Sequence, residues 1–117
     1  MTNAPKQVLL SLALLLAAWP ASAEPLAARD AFRHVGETAQ VRGRATLTFM
    51  PSGEVYIDLD GRGDNGPITG YISRWNRSKF QNLSSLDGKM IELSGQIGTF
   101  RFQPEIFLQD PAQLKVR

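Results

Sequence analysis

The stretch Thr38–Phe49 constrains this chain more than any other segment. Along it Val41, Gly43, Ala45, Leu47 and Phe49 alternate with Arg42, Arg44, Thr46 and Thr48. A period of two places the first set on one face of a strand and the second on the other. Gly43 interrupts the apolar face, which predicts a point where the strand bends or coils. Met90–Ile97 repeats the pattern, with Ile91, Leu93, Gly95 and Ile97 on the core face. Two half-buried strands with interior glycines predict the walls of a small closed β-barrel, an architecture used for binding far more often than for catalysis.

Shorter alternating runs fill the space between them. Val55–Leu59 turns Val55, Ile57 and Leu59 inward and Tyr56 and Asp58 outward. Ile68–Ile72 turns Ile68, Gly70 and Ile72 inward and Thr69 and Tyr71 outward. Ile106 and Leu108, then Leu114 and Val116, mark a fifth strand and its continuation past Asp110-Pro111. Pro51-Ser52-Gly53 has turn chemistry. Pro25–Arg33 has helix-forming composition with proline near its start. Residues 74–86 leave the strand pattern, and Trp75, Phe80, Leu83 and Leu86 predict a short helix and loop plugging one end, with Trp75 counted in the core. The expected fold class is therefore all-β: a five-stranded barrel with a short N-terminal helix and a short helix between the third and fourth strands.

The first 23 residues read as an export signal. Lys6 precedes an uncharged apolar run, Val8–Ala18, and Pro20-Ala21-Ser22-Ala23 ends in the small-x-small pattern of a cleavage site. The run falls short of the ~20 residues a membrane-spanning helix needs, so no membrane anchor is expected after cleavage. The expected mature chain, Glu24–Arg117, has 94 residues (117 − 23) and forms one domain in the periplasm or the medium. It contains no cysteine, so packing rather than disulfides must stabilise the exported form. Thiol catalysis and cysteine-based zinc sites are excluded with it. Loss of Lys6 leaves 12 basic against 11 acidic residues, a net charge of +1. Residues 24–64 carry −2 and residues 65–117 carry +3, so a cationic face must draw on the second half.

The strand order, with glycine inside the first and fourth strands, resembles the OB-fold. His34-Val35-Gly36-Glu37 followed by Val41-Arg42-Gly43, then Lys79-Phe80 and Gly88-Lys89, are similar to small exported bacterial OB-fold proteins of the nucleic-acid-binding-like family. Pro104-Glu105-Ile106 followed by Asp110-Pro111 and Gln113-Leu114 extends the match, so that it covers roughly residues 32–116. Thr99–Gln103 departs from it, replacing the tyrosine- and glycine-containing turn usual between the last strands. The resemblance implies a ligand surface on the outer face of the second and third strands, flanked by the loops joining strands one to two and four to five.

The alternation independently turns Arg42, Arg44, Tyr56, Asp58 and Tyr71 outward, and Phe100, Arg101 and Phe102 fall in the last loop. Aromatic rings with arginines are the means by which single-stranded nucleic acid is stacked and neutralised. An oligosaccharide or a protein of the cell envelope is the alternative partner, with sugars stacking on the tyrosines and bonding to Asp58, Thr69 and Gln96. Other features carry less. His34 stands alone, with no ligand or catalytic partner at useful spacing. Asp58–Asn65 is rich in aspartate, yet Arg62 occupies the fifth place of a calcium loop and Thr69 the twelfth, where a glutamate belongs. Arg62-Gly63-Asp64 spells an integrin tripeptide of the kind that arises by chance in exposed turns. A nuclease could be assembled from Asp58, Asp60, Arg42 and Arg101, but no catalytic motif links them. The expectation is a non-catalytic binding module without metal or cofactor.

Overall fold

A computed structural model describes residues 24–62 and 66–117. The expected export signal lies outside these residues. Among the described residues seven strands form the sheet: β1 (Leu26–Ala27), β2 (Thr38–Phe49), β3 (Val55–Leu59), β4 (Ile68–Ile72), β5 (Met90–Phe100), β6 (Gln103–Phe107) and β7 (Leu114–Val116). Five of them close a ring in the order β2-β3-β4-β6-β5 and back to β2. All contacts around the ring are antiparallel except β4 with β6. β1 runs parallel to β2 beyond the end of β3, and β7 adds to the outer edge of β5.

The ring closes because its two long strands each bond to two partners. The first half of β2, Thr38–Arg44, pairs with β5, and the second half, Ala45–Phe49, pairs with β3. Gly43 sits at the changeover, where a Cβ would come within 2.9 Å of the Leu59 Cβ. β5 divides in the same way: Met90–Gln96 faces β2 and Ile97–Phe100 faces β6. There Gly95 has φ +150°, and a Cβ would meet Ile106 Cγ2 at 2.9 Å. Both predicted glycine bends are thus places where backbone passes close to a neighbouring strand.

The inward residues follow the alternation. Val41, Ala45, Val55, Ile57, Leu59, Ile68, Ile72, Ile91, Leu93, Ile97, Ile106 and Leu108 form a continuous buried core. Phe80, Leu83 and Leu86 join it, as expected. Three expectations require correction. The helical segments are single 3-10 stretches, Ala28–His34, Arg77–Lys79 and Leu83–Leu86, because none has the apolar stripe or length to sustain an α-helix. Trp75 is 76% exposed rather than in the core; Arg74 stacks on its ring at 4.4 Å. Phe49, read as an inward residue, is 42% exposed at the rim, where β2 runs past the core.

The C-terminal segment is fastened by polar contacts. The Asp110 side chain accepts from the Ala112 amide at 2.8 Å, and Gln113 Oε1 accepts from the Asp110 amide at 3.0 Å, a reciprocal cap on the 3-10 turn Pro111–Gln113. Gln113 Nε2 reaches back to the carbonyls of Ser94 and Phe107. On the outer face of β5 the carboxylate of Glu92 is buried, with Arg42 and Lys115 directly opposite on the neighbouring strands. Arg117 Nη1 lies 2.7 Å from Glu92 Oε2, an ion pair whose angles fall short of a hydrogen bond.

Gly95→Ala should destabilise the fold by about 1–3 kcal/mol, since it forces both a positive φ and an overpacked contact. Urea unfolding followed by circular dichroism measures the loss, and an unchanged midpoint would refute the close-approach account of this bend.

Candidate ligand-binding face

The register of β2, β3, β4 and β6 aligns their outward side chains in two rows. Thr48, Tyr56, Tyr71 and Phe107 are successive cross-strand partners. One step along the strands, Thr46, Asp58, Thr69 and Glu105 are likewise successive partners. An aromatic row therefore lies beside a row of oxygen-bearing side chains. The Tyr56 and Tyr71 rings are 5.3 Å apart at their centroids, and Tyr71 meets Phe107 edge-on at 5.0 Å. These are favourable aromatic separations, so the three rings hold one another in a shallow ridge.

Next to the ridge is an open-sided cleft of about 260 Å³, lined by Thr48, Tyr56, Asp58, Thr69, Phe100, Arg101, Gln103, Pro104 and Glu105. Its far wall is the β5–β6 hairpin. That hairpin turns at Arg101-Phe102, both with positive φ (51° and 69°), the pattern of a type I′ turn, which favours Asn-Gly. Here the positions that strain a side chain carry an arginine and a phenylalanine. Phe102 is fully exposed and Phe100 half-exposed, with the Arg101 guanidinium 5.2 Å from the Phe100 ring centre. The departure noted at Thr99–Gln103 is thus an aromatic and cationic hairpin tip. At the opposite end, Arg77 stacks on Phe49 at 5.0 Å, beside the Arg74–Trp75 pair.

The charges in the cleft and beside the ridge are mostly negative. Asp58 is buried on the outer face and accepts the Thr69 hydroxyl at 2.6 Å. Glu54, on the β2–β3 hairpin, accepts from Ser52 and from the Tyr71 hydroxyl at 3.3 Å. Burial, followed by the Glu54 charge, pushes both tyrosine hydroxyls above their ordinary range. Burial also pushes the Glu105 carboxyl up from its ordinary value. Among the described residues, Arg101 is the one cation lining the cleft.

Of the residues singled out in the sequence, Tyr56, Asp58, Phe100 and Arg101 line the cleft, Tyr71 forms the centre of the ridge and Phe102 tips the hairpin. Arg42 and Arg44 do not join them. Both lie in the half of β2 that pairs with β5, where Arg42 faces Glu92 and Arg44 Nη1 donates to the Gly88 carbonyl at 2.7 Å. Phe107, Glu105, Glu54 and Thr48 are not among the binding residues expected from the sequence, although the alternation of β6 on either side of buried Ile106 turns the first two outward. Among the described residues no group of three histidines or carboxylates could hold a metal ion. Asp60 instead accepts the Arg44 amide at 2.8 Å, and residues 63–65 of the loop read against a calcium site lie outside the described residues. No described helix is long and apolar enough to cross a membrane.

No protein-family model matches the chain, and no curated protein does. Solved structures do. One is described as an aspartyl-tRNA synthetase from Leishmania major Friedlin, with a TM-score of 0.50 and 8% identity. The match covers 85% of this chain and 21% of that one, so this chain spans about a fifth of that protein. At this identity the likeness concerns the fold. The fold is OB-like. The two rows occupy the outer face of the ring, between the β2–β3 and β5–β6 hairpins.

Glu105 provides a test of this description. Its raised pKa means that the folded state favours the neutral carboxyl, so charging it costs stability as pH rises through the raised value. Glu105→Gln should therefore stabilise the protein at about pH 7, and the gain should vanish at about pH 3, where the wild-type carboxyl is protonated in both states. Urea midpoints at the two pH values decide it, and an equal gain at both would exclude desolvation as the cause.

Proposed function

We propose that this protein is a non-catalytic binding module that takes single-stranded nucleic acid on the outer face of β3, β4 and β6. The observation that carries the reading is the ridge Tyr56–Tyr71–Phe107, bracketed along the strands by arginines stacked on exposed rings, Arg101 on Phe100 and Arg77 on Phe49. Bases would stack on the ridge and phosphates would meet the guanidiniums at its ends, a mode with little sequence preference in itself. The OB-like neighbour described as a tRNA synthetase is in keeping with this reading. Arg42 and Arg44 take no part in it.

An oligosaccharide is the second reading, favoured by the acceptors Asp58, Glu105 and Glu54 around the tyrosines, which suit hydroxyl donors and repel phosphate. An envelope protein could use the same face. The proposed compartment, periplasm or medium, rests on the signal-like residues 1–23 and suits either ligand. Export with cleavage predicts that protein recovered from an expressing bacterium starts at Glu24, and N-terminal sequencing that finds residue 1 retained would remove this part.

Salt separates the two ligands. Fluorescence anisotropy with a labelled single-stranded oligonucleotide, at about 50 and about 200 mM salt, should give saturable binding that weakens at the higher value. Tyr71→Ala should weaken it about ten-fold, within the ~1–3 kcal/mol that one base–aromatic stack provides. Absence of binding at low salt, with salt-independent binding to an oligosaccharide, would transfer the face to the second reading.

A further inference from the structure

The cleft beneath the β5–β6 hairpin is chemically unlike the ridge beside it. The ridge offers faces for stacking to any base, whereas the cleft combines faces with a directional acceptor. Tyr56 and Phe100 supply flat apolar walls, and Glu105 stands between them on β6, in line with Thr69 and Asp58. Asp58 is engaged by the Thr69 hydroxyl. No hydrogen bond or ion pair from another described side chain reaches the Glu105 carboxylate, and Arg101 lies against Phe100. A partly buried carboxylate without a donor is costly, and a ligand that brings donors relieves that cost. The cleft, at about 260 Å³, lies just below the ~300–1,000 Å³ of sites for drug-sized ligands, which is room for one ring system.

We propose that this cleft selects guanine, with the Glu105 carboxylate accepting from N1–H and the N2 amino group of the base while Tyr56 and Phe100 sandwich its faces. The proposal rests on the nucleic-acid reading above and adds base choice to it. Phosphate is excluded from the cleft by like charge, so the part of a nucleotide that enters must be the base. A carboxylate is acceptor-only and takes two donors side by side. Guanine alone among the bases presents two adjacent N–H donors on its pairing edge. Adenine and cytosine set a ring nitrogen lone pair beside their amino group, which would face a carboxylate oxygen. Uracil and thymine flank their single N–H with two carbonyls. Carboxylates are known readers of base amino groups, and the guanidiniums at the ends of the face stay available for the backbone.

The test uses the full chain and four labelled oligothymidylates that differ at one central position: dT, dG, dA or deoxyinosine. The dG oligonucleotide should bind roughly ten-fold tighter than the all-dT one, as expected for a bidentate base contact. Deoxyinosine, which keeps N1–H and lacks the N2 amino group, should fall between them. Glu105→Gln should bring dG to the level of dT in the same variant. The wild-type series needs no variant to fold. Equal binding of all four oligonucleotides overturns guanine selection while leaving the nucleic-acid reading intact, whereas absence of binding to any of them overturns both. A dG preference that survives Glu105→Gln would also overturn the assignment, because the contact would then lie elsewhere.

Discussion

The pairing of β2 with β5 is the interaction on which the rest of the structure depends. It joins the first long strand to the last, far apart in the chain, and is the longest ladder among the described residues. Having made it, each strand must turn away to meet a second partner, β3 in one case and β6 in the other. Gly43 and Gly95 stand at those two departures. A side chain at either would collide with the strand it passes, so the closed ring depends on backbone approaches that only glycine permits without adjustment.

The proposed binding face follows from this closure. Once β4 and β6 are brought alongside in parallel, the pleat alone decides which side chains share a row. Tyr56, Tyr71 and Phe107 line up because their strands are in register, and Asp58, Thr69 and Glu105 line up one step away for the same reason. Aromatic rings and acceptors are thereby set in stripes at fixed spacing, without any loop having to fold around a ligand. The hairpin that overhangs them carries its own strain, with Arg101 and Phe102 in left-handed conformations. Strain retained next to a cleft is a recurring property of binding sites.

Much of this was legible in the sequence. Alternation located β2 to its terminal residues, placed the inward residues of β3, β4 and β5, and marked both glycine bends. It identified Tyr56 and Tyr71 as neighbours on the outer face. Alternation reports which face a residue takes but not where around a closed sheet that face points, and for this reason Arg42 and Arg44 were grouped with tyrosines that lie around the bend. Nor does it report what covers an outward residue: Asp58 and Glu92 are both outward and both buried. Trp75 shows a third limit. A large apolar side chain predicts burial on average, yet an arginine stacked on the ring can leave it exposed.

The parallel contact between β4 and β6 has a consequence for how the chain reaches this state. It consists of three rungs, Thr69 with Glu105, Gly70 with Ile106 and Tyr71 with Phe107, and none can form until distant segments have been brought together. Such non-local pairing makes folding slow relative to chain length. The consecutive strands β3 and β4 bring Tyr56 and Tyr71 together by local antiparallel pairing, whereas Phe107 and Glu105 join them only through this contact. The ridge and the cleft are therefore complete only when the ring is closed, because Phe107, Glu105 and the β5–β6 hairpin reach the tyrosines through this one short contact.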